Sequence, residues 1–290
     1  MVVGFAPGGG TDVSARAIMQ PLGDGLGQRI IVDNRPGADG VVGSEIVAKA
    51  PPDGYTLLMV NLGHTVNPSL YKKLPYDTLK DFAPITLVAM IANLLVVHPS
   101  LPVKSVPELV RLAKTKPGAI SYASGGYGSS AHLAFELFKE TAHIDLVHVP
   151  YKSGGLVASA LLAGEVAVSF NTIPSLLPYV KAGRLRALGV STPQRSMSVP
   201  DVPTIAELGY PGFSASGLAG LVAPAGTPVE TIDRIHAVIV KLLKQQDVLE
   251  RFVMLGLDPV GDTPAEFYQF IKSDMDKWSK LIRKLKLTIQ

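Results

Sequence analysis

The sequence predicts an α/β protein built from two domains. Short β-branched stretches alternate with segments of helical periodicity, a pattern typical of largely parallel sheets covered by helices. The chain has 290 residues, 47% of them hydrophobic and 18% charged, so it is too apolar to be disordered and longer than most single cores. Because glycine and proline are spread through the connections, we expect the domains to be joined by crossing strands rather than by a flexible tether.

The strands are predicted from short runs of β-branched and other apolar residues. A first strand is expected over residues 2–5, directly before a glycine-rich loop. The other runs are residues 30–32, 55–60, 94–97, 120–123, 146–149, 166–170 and 185–190.

Several helix starts are marked by a Ser or Thr that is followed three residues later by Glu, the spacing of a capping box. The four pairs are Ser105 and Glu108, Thr204 and Glu207, Thr227 and Glu230, and Thr263 and Glu266. Pro228 and Pro264 are expected at the first helical position. The helix after Thr227 should bury the stripe formed by Ile232, Ile235, Ile239, Leu242 and Leu243, and a terminal helix should cover residues 264–285.

Composition excludes several classes of function. The net charge is only +3 and the basic residues are scattered, which argues against a nucleic-acid partner. No run approaches the roughly 20 apolar residues of a membrane span, so we expect no direct membrane insertion. The absence of cysteine excludes a disulfide scaffold, a thiol nucleophile and a Cys-ligated metal.

The start of the chain lacks a basic segment followed by an apolar one. Met1 is followed within four residues by the glycine-rich loop at Phe5. We therefore expect either that a leader was removed or that the start is truncated.

Two glycine-rich loops each lie between a predicted strand and a predicted helix. The first loop runs from Phe5 to Asp12 and the second loop from Ser124 to Ser130. Unpaired N–H groups at a helix N-terminus carry partial positive charge, and glycine lets a ligand approach the backbone closely. Each loop is thus a candidate anion site, although each could instead be a tight strand-to-helix turn.

Neither loop contains Lys or Arg, so an anion there would be bound by backbone amides and hydroxyl groups. The hydroxyls come from Thr11, Ser129 and Ser130. Such a site favours a carboxylate over a phosphate. Asp12 would repel an anion, and we interpret it as bracing the loop or the helix start.

Three further polar residues follow predicted strands. His64 and Asn67 come after the strand over residues 55–60, and Asn171 ends the strand over 166–170. Strand C-termini are where open α/β sheets meet ligands, so all three are candidates for ligand contact. The alternatives are a turn-capping histidine and an ordinary turn asparagine; Arg35 is expected to be a surface turn residue.

An enzyme is the main rival hypothesis. A serine hydrolase would use Ser129 with His132 or His148, but the chain contains no Gly-x-Ser-x-Gly window. His132 and Glu136 are one helical turn apart without a third metal ligand nearby in sequence, so structural roles are expected for both. We therefore predict a protein that is not an enzyme, with no cofactor and no metal.

A series of short motifs resembles the substrate-binding component of tripartite tricarboxylate transporters along nearly the whole chain. The first loop is similar to that family's first-strand loop. The further matches, in order, are Asn34 to Gly37, Pro52 to Leu57, Leu74 to Asp77, Asp81-Phe82, His132-Leu133, Glu136 to Phe138, His148 to Lys152, Pro200 to Thr204 and Ala223 to Pro228.

The resemblance implies a type II periplasmic-binding-protein fold, in which two α/β lobes close on a ligand in the cleft between them. It implies domain I over residues 1–99 and 222–290 and domain II over 100–221. It also implies ligand contacts carried over onto two sets of residues, which are Phe5, Gly8, Gly9, Gly10 and Thr11 in the first loop and Ser124, Gly128, Ser129 and Ser130 in the second.

The function implied is a periplasmic solute-binding protein that captures a small carboxylate, such as a di- or tricarboxylic, amino or aromatic acid. Its partners would be that ligand and the membrane permease subunits of the transporter, and the protein would be a monomer. A carboxylate sensor that uses the same fold without transport is the alternative within the same fold.

Overall fold

Two compact units make up the protein in the computed structural model, which describes residues 1–287. Unit 1 contains Met1–Met90, Leu218–Phe252 and residues 259–287, and unit 2 contains Ile91–Gly217 and Val253–Asp258. The divisions therefore fall at 90/91 and 217/218, where the sequence led us to expect 99/100 and 221/222. The difference arises because the strand Asn93–Val97 pairs with two strands of unit 2.

The strands are numbered in chain order. They are β1 (Val2–Val3), β2 (Asp33–Asn34), β3 (Leu58–Val60), β4 (Phe82–Ile91), β5 (Asn93–Val97), β6 (Ser121–Ser124), β7 (Val147–Pro150), β8 (Val168–Thr172), β9 (Arg186–Val190), β10 (Gly217–Pro224) and β11 (Leu257–Pro259).

The α-helices are numbered in the same way. They are α1 (Gly10–Leu26), α2 (Val41–Ala48), α3 (Gly63–Leu70), α4 (Val106–Thr115), α5 (Ser130–Ala142), α6 (Gly154–Ala163), α7 (Ile173–Lys181), α8 (Val229–Leu242), α9 (Gln246–Leu255) and α10 (Pro264–Leu285). A short 3-10 turn, Ala38–Gly40, precedes α2.

One sheet has six strands in the order β11-β4-β10-β3-β1-β2. The short strand β1 lies between two parallel neighbours, since Val2 pairs with Asp33 on one side and with Leu58 on the other. This parallel arrangement brings the C-terminal ends of β1, β2 and β3 to one edge of the sheet, where the first loop, residue 35 onward and α3 follow them.

The second sheet has five strands in the order β7-β6-β8-β5-β9. Strand β6 pairs in parallel with both β7 and β8, while β5 is antiparallel to β8 and β9. The second loop follows β6, and the segments after β7 and β8 start at the same edge. The predicted α/β class is confirmed, but both sheets are mixed rather than largely parallel, because β10 is antiparallel to β3 and β5 is antiparallel to two neighbours.

Sequence and structure differ at some elements. Residues 30–32 are not a strand; Ile31 is exposed, and the pairing with β1 occurs at Asp33 and Asn34 instead. The prediction that Thr227 caps the following helix is also wrong, because the Thr227 hydroxyl donates to the Pro224 carbonyl oxygen at 2.7 Å. Pro228 is therefore the residue before α8 rather than its first residue.

The remaining capping pairs behave in three ways. Ser105 caps α4 by accepting a hydrogen bond from the Glu108 amide. The pair Thr204 and Glu207 forms both capping hydrogen bonds, but around a turn rather than a helix. At Thr263 both hydrogen bonds form, and α10 covers the predicted residues 264–285.

The core residues follow the predicted periodicity where a helix covers a sheet. The α8 stripe of Ile232, Ile235 and Ile239 is buried. Phe267 and Ile271 of α10 pack in a cluster with residues of β3, β4 and β10. None of the helices in residues 1–287 is long and apolar enough to cross a membrane.

The capping box of α10 offers a test of how local signals contribute to stability. Thr263 accepts a hydrogen bond from the Glu266 amide at 3.2 Å and its own amide donates to the Glu266 carboxylate at 2.9 Å. We expect Thr263→Ala to lower the free energy of unfolding by about 1 kcal/mol, measured by urea denaturation. Thr141→Ala, within helix α5, is the matched control and should have little effect; equal losses in both variants would contradict a specific cap.

Candidate functional site

The first loop turns directly from the end of β1 into α1. Gly9 is the N-cap of the helix, with φ of −75° and ψ of 164°, so no side chain caps the helix at this position. The Gly9 amide donates to the Ala6 carbonyl oxygen at 3.3 Å and the Val13 amide donates to the Gly9 carbonyl oxygen. The amides of Gly10, Thr11 and Asp12 belong to the first turn, where a helix supplies no acceptor.

Asp12 holds this loop from inside. Its buried carboxylate accepts hydrogen bonds from the Gly8 amide at 2.9 Å, from Asn34 Nδ2 at 2.9 Å and from Arg16 Nε at 2.9 Å. The hydrogen bond from Arg16, together with those from Gly8 and Asn34, lowers the pKa of Asp12 to about 2 against the opposing effect of burial. The interpretation of Asp12 as a brace is confirmed, and the Arg16 cation offsets its charge.

Asn34 joins the loop to the neighbouring strand. Its side-chain amide donates to the Phe5 carbonyl oxygen at 3.0 Å as well as to Asp12, and its Oδ1 accepts from Arg16. The expectation for Arg35 is confirmed, since its side chain is more than half exposed and pairs with Asp33.

The turn Ala38–Gly40 lies against the start of the first loop. A side chain on Gly4 would come within 2.8 Å of the Gly40 Cα, and one on Gly40 would come within 2.9 Å of the Phe5 ring. Only glycine permits this approach at both positions. Asn67 Nδ2 donates to the Asp39 carbonyl oxygen at 3.1 Å, so Asn67 holds the turn that supports Phe5.

His64 lies in the first turn of α3 and is 4% exposed. Neither ring nitrogen has a hydrogen-bond partner within the described part of the chain. Burial lowers the pKa of His64 to about 4, so the ring is neutral at pH 7. His64 lines a small cavity with Phe5, Gly40 and Asn67 among its other walls, and the space open to a water-sized molecule is about 10 Å³.

Helix α3 is held in place by residues of the C-terminal helix α10. The Thr65 hydroxyl donates to Asp274 Oδ2 at 2.7 Å, and the same oxygen accepts from the indole N–H of Trp278 at 2.9 Å. All three residues are buried. Residues of α10 therefore determine where α3 presents His64 and Asn67.

The second loop repeats the strand, loop and helix arrangement with different braces. Ser129 is the N-cap of α5, and its hydroxyl accepts from the His132 amide and donates to the Gly126 carbonyl oxygen at 2.8 Å. The Ser124 hydroxyl donates to the same carbonyl at 3.1 Å. Two of the serines predicted to contact a ligand thus direct their hydroxyls into the loop itself, whereas Ser130 begins the helix.

Two histidines lie beneath the second loop. His132 Nδ1 accepts a hydrogen bond from the Gly128 amide at 3.1 Å, and His148 Nε2 lies 2.7 Å from the Ser124 hydroxyl. Ser124 is fully buried, so its pairing with His148 does not place a nucleophile where a substrate could reach it. Gly128 has a φ of +77°, a conformation that favours glycine.

The segment after β7 lies against the second loop. The Tyr151 amide donates to the Ser124 carbonyl oxygen at 2.8 Å, and a side chain on Gly126 would come within 3.6 Å of the Tyr151 carbonyl oxygen. Asn171 Nδ2 donates to the Gly154 carbonyl oxygen at 3.0 Å and its Oδ1 accepts from the Thr172 amide. Asn171 therefore ties the end of β8 to the start of α6.

The predicted residues thus form two groups, one in each unit. The first-loop residues, His64 and Asn67 come together in unit 1, and the second-loop residues and Asn171 come together in unit 2. Sequence reasoning missed the supports, chiefly Asn34, Gly40 and His148. The Asn-Arg-Pro-Gly motif at the end of β2 is the sequence signal for Asn34, but the motif alone does not indicate contact with the first loop.

Comparison with known proteins identifies related sequences over the whole chain. Residues 14–287 match the family model of the tripartite tricarboxylate transporter family receptor. A protein of the tcbD–tcbE intergenic region of Pseudomonas sp. strain P51 is 39% identical over 99% of this chain and 85% of its own length. Protein BugT of Bordetella pertussis is 38% identical over 98% of this chain and 87% of its own length.

Solved structures share the fold. Rpa4515 of R. palustris, solved with adipate, has a TM-score of 0.81 and 33% identity over 97% of this chain and 95% of its own. The periplasmic binding protein BugD has a TM-score of 0.79 and 30% identity over 100% and 98%. MatC of Rhodopseudomonas palustris, solved with bound malate, has a TM-score of 0.76 and 32% identity over 97% of each chain.

The Asp12 brace predicts a loss of stability when the carboxylate is removed. Asp12→Ala leaves the Gly8 amide and the Asn34 side chain without their acceptor, so the free energy of unfolding should fall by about 1–3 kcal/mol. Urea denaturation at pH 7 measures this. Asp24→Ala, at an exposed position of the same helix, is the control; a variant at Asp12 as stable as that control would show that the loop does not need its brace.

The buried neutral ring of His64 predicts a pH dependence of stability. Its pKa is about 4 in the folded protein, against 6.5 when unfolded. As the pH falls from 6.5 to 4 the unfolded state therefore takes up a proton that the folded state does not, and stability falls. Below pH 4 this contribution levels off.

Substitution isolates that contribution. His64→Leu removes no hydrogen bond to the protein, and from pH 7 to pH 5 it should lose about 2 kcal/mol less stability than the wild type. Urea denaturation at both pH values is the measurement. His143→Asn, at an exposed helix end, should keep the wild-type difference; the same difference in all three proteins would contradict a neutral buried His64.

Proposed function

The chain belongs to the family of tripartite tricarboxylate transporter receptors, and we propose that it captures a small carboxylate in the periplasm and delivers it to membrane permease subunits. The carrying observation is the first loop, where open backbone amides precede a helix of 17 residues. BugD is a periplasmic binding protein, and Rpa4515 and MatC were solved with adipate and malate; these relatives support the compartment and the ligand class.

The first loop supplies donors without a cation of its own. The amides of Gly8 and Gly9 are engaged by Asp12 and Ala6. Those of Gly10 and Thr11 lie in the first helical turn, where the helix dipole favours an anion. We assign the ligand carboxylate to these two amides and to the Thr11 side chain.

The charge of Asp12 is compatible with this assignment. Its carboxylate is ionised at neutral pH and is paired with the Arg16 guanidinium, so the pair is close to neutral. The Asp12 carboxylate also accepts a hydrogen bond from the Gly8 amide and thereby fixes the orientation of the amides that follow. Asp12 acts here as a positioning residue, not as a ligand contact.

Selectivity among carboxylates is assigned to side chains outside the amide cluster. His64 is neutral and offers one ring donor and one ring acceptor without protein partners in the described residues, so it suits a hydroxyl, a carbonyl or an ordered water. In the second loop, Tyr127 is 70% exposed and Ser130 begins α5. Tyr127 and Ser130 are proposed as ligand contacts of the second loop in its own unit, whereas Ser124, Ser129 and Asn171 support the backbone.

Calorimetric titration tests the function directly. The wild-type protein should bind at least one member of a panel of malate, adipate, citrate, glutamate and benzoate at pH 7.5. Oligomeric state, measured by light scattering in the same buffer, should be monomeric with and without ligand. Failure of all five acids to bind would refute carboxylate capture.

Gly10→Val tests whether the first loop holds the carboxylate. A side chain at Gly10 would meet no protein atom within 4 Å, so the fold should tolerate it. It would occupy the space that the ligand must enter, and affinity for the acid found by titration should fall by at least about tenfold. Gly128 is less suitable for this test because a side chain there would strain the backbone.

The control introduces the same residue elsewhere in the same helix. Gln20 is exposed in α1, and Gln20→Val should leave affinity unchanged while matching the cost of a β-branched residue in the helix. Thermal unfolding of both variants without ligand checks the fold. Unchanged affinity in Gly10→Val would show that these glycines only form a turn.

A further inference from the structure

A column of stacked rings supports the second loop. His132 of α5 and His148 of β7 have ring centroids 4.3 Å apart at 28°. Tyr122 stacks on His148, with ring centroids 4.9 Å apart and an interplanar angle of 17°. Phe135 stacks in turn on Tyr122, with centroids 4.2 Å apart. Two helical and two strand residues thus form one continuous support.

Each histidine of the column contacts a different part of the loop backbone. His132 Nδ1 accepts from the Gly128 amide at 3.1 Å. His148 Nε2 lies 2.7 Å from the Ser124 hydroxyl, which donates to the Gly126 carbonyl oxygen and accepts from the Gly126 amide. The two rings therefore fix the loop at Gly126 and at Gly128.

The contact of His132 with Gly128 requires a neutral ring with a defined tautomer. His132 accepts at Nδ1, so its proton must be on Nε2. His148 Nε2 lies 2.7 Å from the Ser124 hydroxyl, and which of the two donates depends on the tautomer of His148. A second proton on His132 would occupy the site that the Gly128 amide uses.

Among the charged and titratable groups around the pair, Glu136 favours a second proton and raises the pKa of both histidines, but burial outweighs it. Glu136 accepts from the Tyr122 hydroxyl at 2.6 Å and from Lys139 at 2.9 Å, so its carboxylate is already paired. Tyr127, on the loop itself, meets both histidines edge-on, with centroids 5.4 Å and 4.9 Å away. Burial is the largest effect on both histidines and lowers the pKa of each, to about 4 for His148.

We propose that His132 and His148 are positioning residues that hold the second loop, and that protonation of His132 at Nδ1 releases the Gly128 amide and loosens the loop. The relevance for ligand capture rests on the function proposed above. The contact between His132 and Gly128 itself is independent of any ligand.

Substitutions at His132 separate the hydrogen bond from the packing. In His132→Asn, Oδ1 can take the place of Nδ1 as an acceptor for the Gly128 amide and does not titrate. In His132→Leu the volume is kept but the acceptor is lost. Both variants are compared with the wild type by hydrogen–deuterium exchange of residues 124–130 without ligand.

The exchange rates of residues 124–130 are corrected for the intrinsic pH dependence of exchange, and residues 264–285 of α10 serve as the reference. The expected result then differs for each protein. In the wild type the loop should be protected at pH 7.5 and lose protection as the pH falls towards 4. His132→Leu should exchange about tenfold faster at pH 7.5. His132→Asn should keep protection at both ends of the pH series.

The proposal is overturned if His132→Leu exchanges at the wild-type rate, or if His132→Asn loses protection at low pH as the wild type does. If His132→Leu fails to fold, the ring ¹⁵N chemical shifts of His132 in the wild type at pH 7 test the proposal instead. A neutral ring protonated at Nε2 supports the proposal, and a charged ring refutes it. Because no ligand is added, failure of the acid panel to bind would leave these outcomes intact.

Discussion

The buried carboxylate of Asp12 is the interaction on which the first loop depends. It gathers the Gly8 amide, the Asn34 side chain and the Arg16 guanidinium at one point. A buried carboxylate without such partners would be strongly unfavourable, so the groups that satisfy it are fixed in place by it. The same contacts engage the Gly8 amide, whereas the first-turn amides of Gly10 and Thr11 have no acceptor within the helix and are the ones assigned to the ligand in the proposal above.

The second loop reaches a similar backbone arrangement by other chemistry. Its supports are uncharged, since two serine hydroxyls converge on the Gly126 carbonyl and two stacked histidines hold Ser124 and Gly128. The carboxylate brace is lost only in strong acid, because the pKa of Asp12 is about 2. The histidine support is more sensitive to pH, because imidazole must be neutral to accept the Gly128 amide.

Residues far apart in sequence set the position of the candidate contacts. Asp274 and Trp278 of α10 hold Thr65, and Thr65 belongs to the same short helix as His64 and Asn67. The turn at Gly40 packs on Gly4 and on the Phe5 ring, so the start of the first loop cannot move without that turn. The first loop and helix α3 are therefore held in place by packed and hydrogen-bonded residues beneath them.

Periodicity in the sequence predicted most elements, because a helix such as α10 and its Thr263 cap depend on residues three or four positions apart. It failed where long-range contacts decide: residues 30–32 have strand-forming side chains, but the ladder to β1 forms at Asp33 and Asn34. Ser129 was predicted as a ligand contact from its residue type and Ser124 from the family resemblance, and only their distances to the Gly126 carbonyl reveal the internal hydrogen bonds.

The sequence by itself determined the α/β class, the two glycine-rich helix starts and, through its ordered motifs, the family. The tertiary structure decided which donors stay open and which side chains are supports. The physical reason is that hydrogen-bond groups are consumed by whatever packs beside them, and the partners of Asp12, Thr65 and Ser124 include residues between 22 and 209 positions away. Local pattern cannot contain that information.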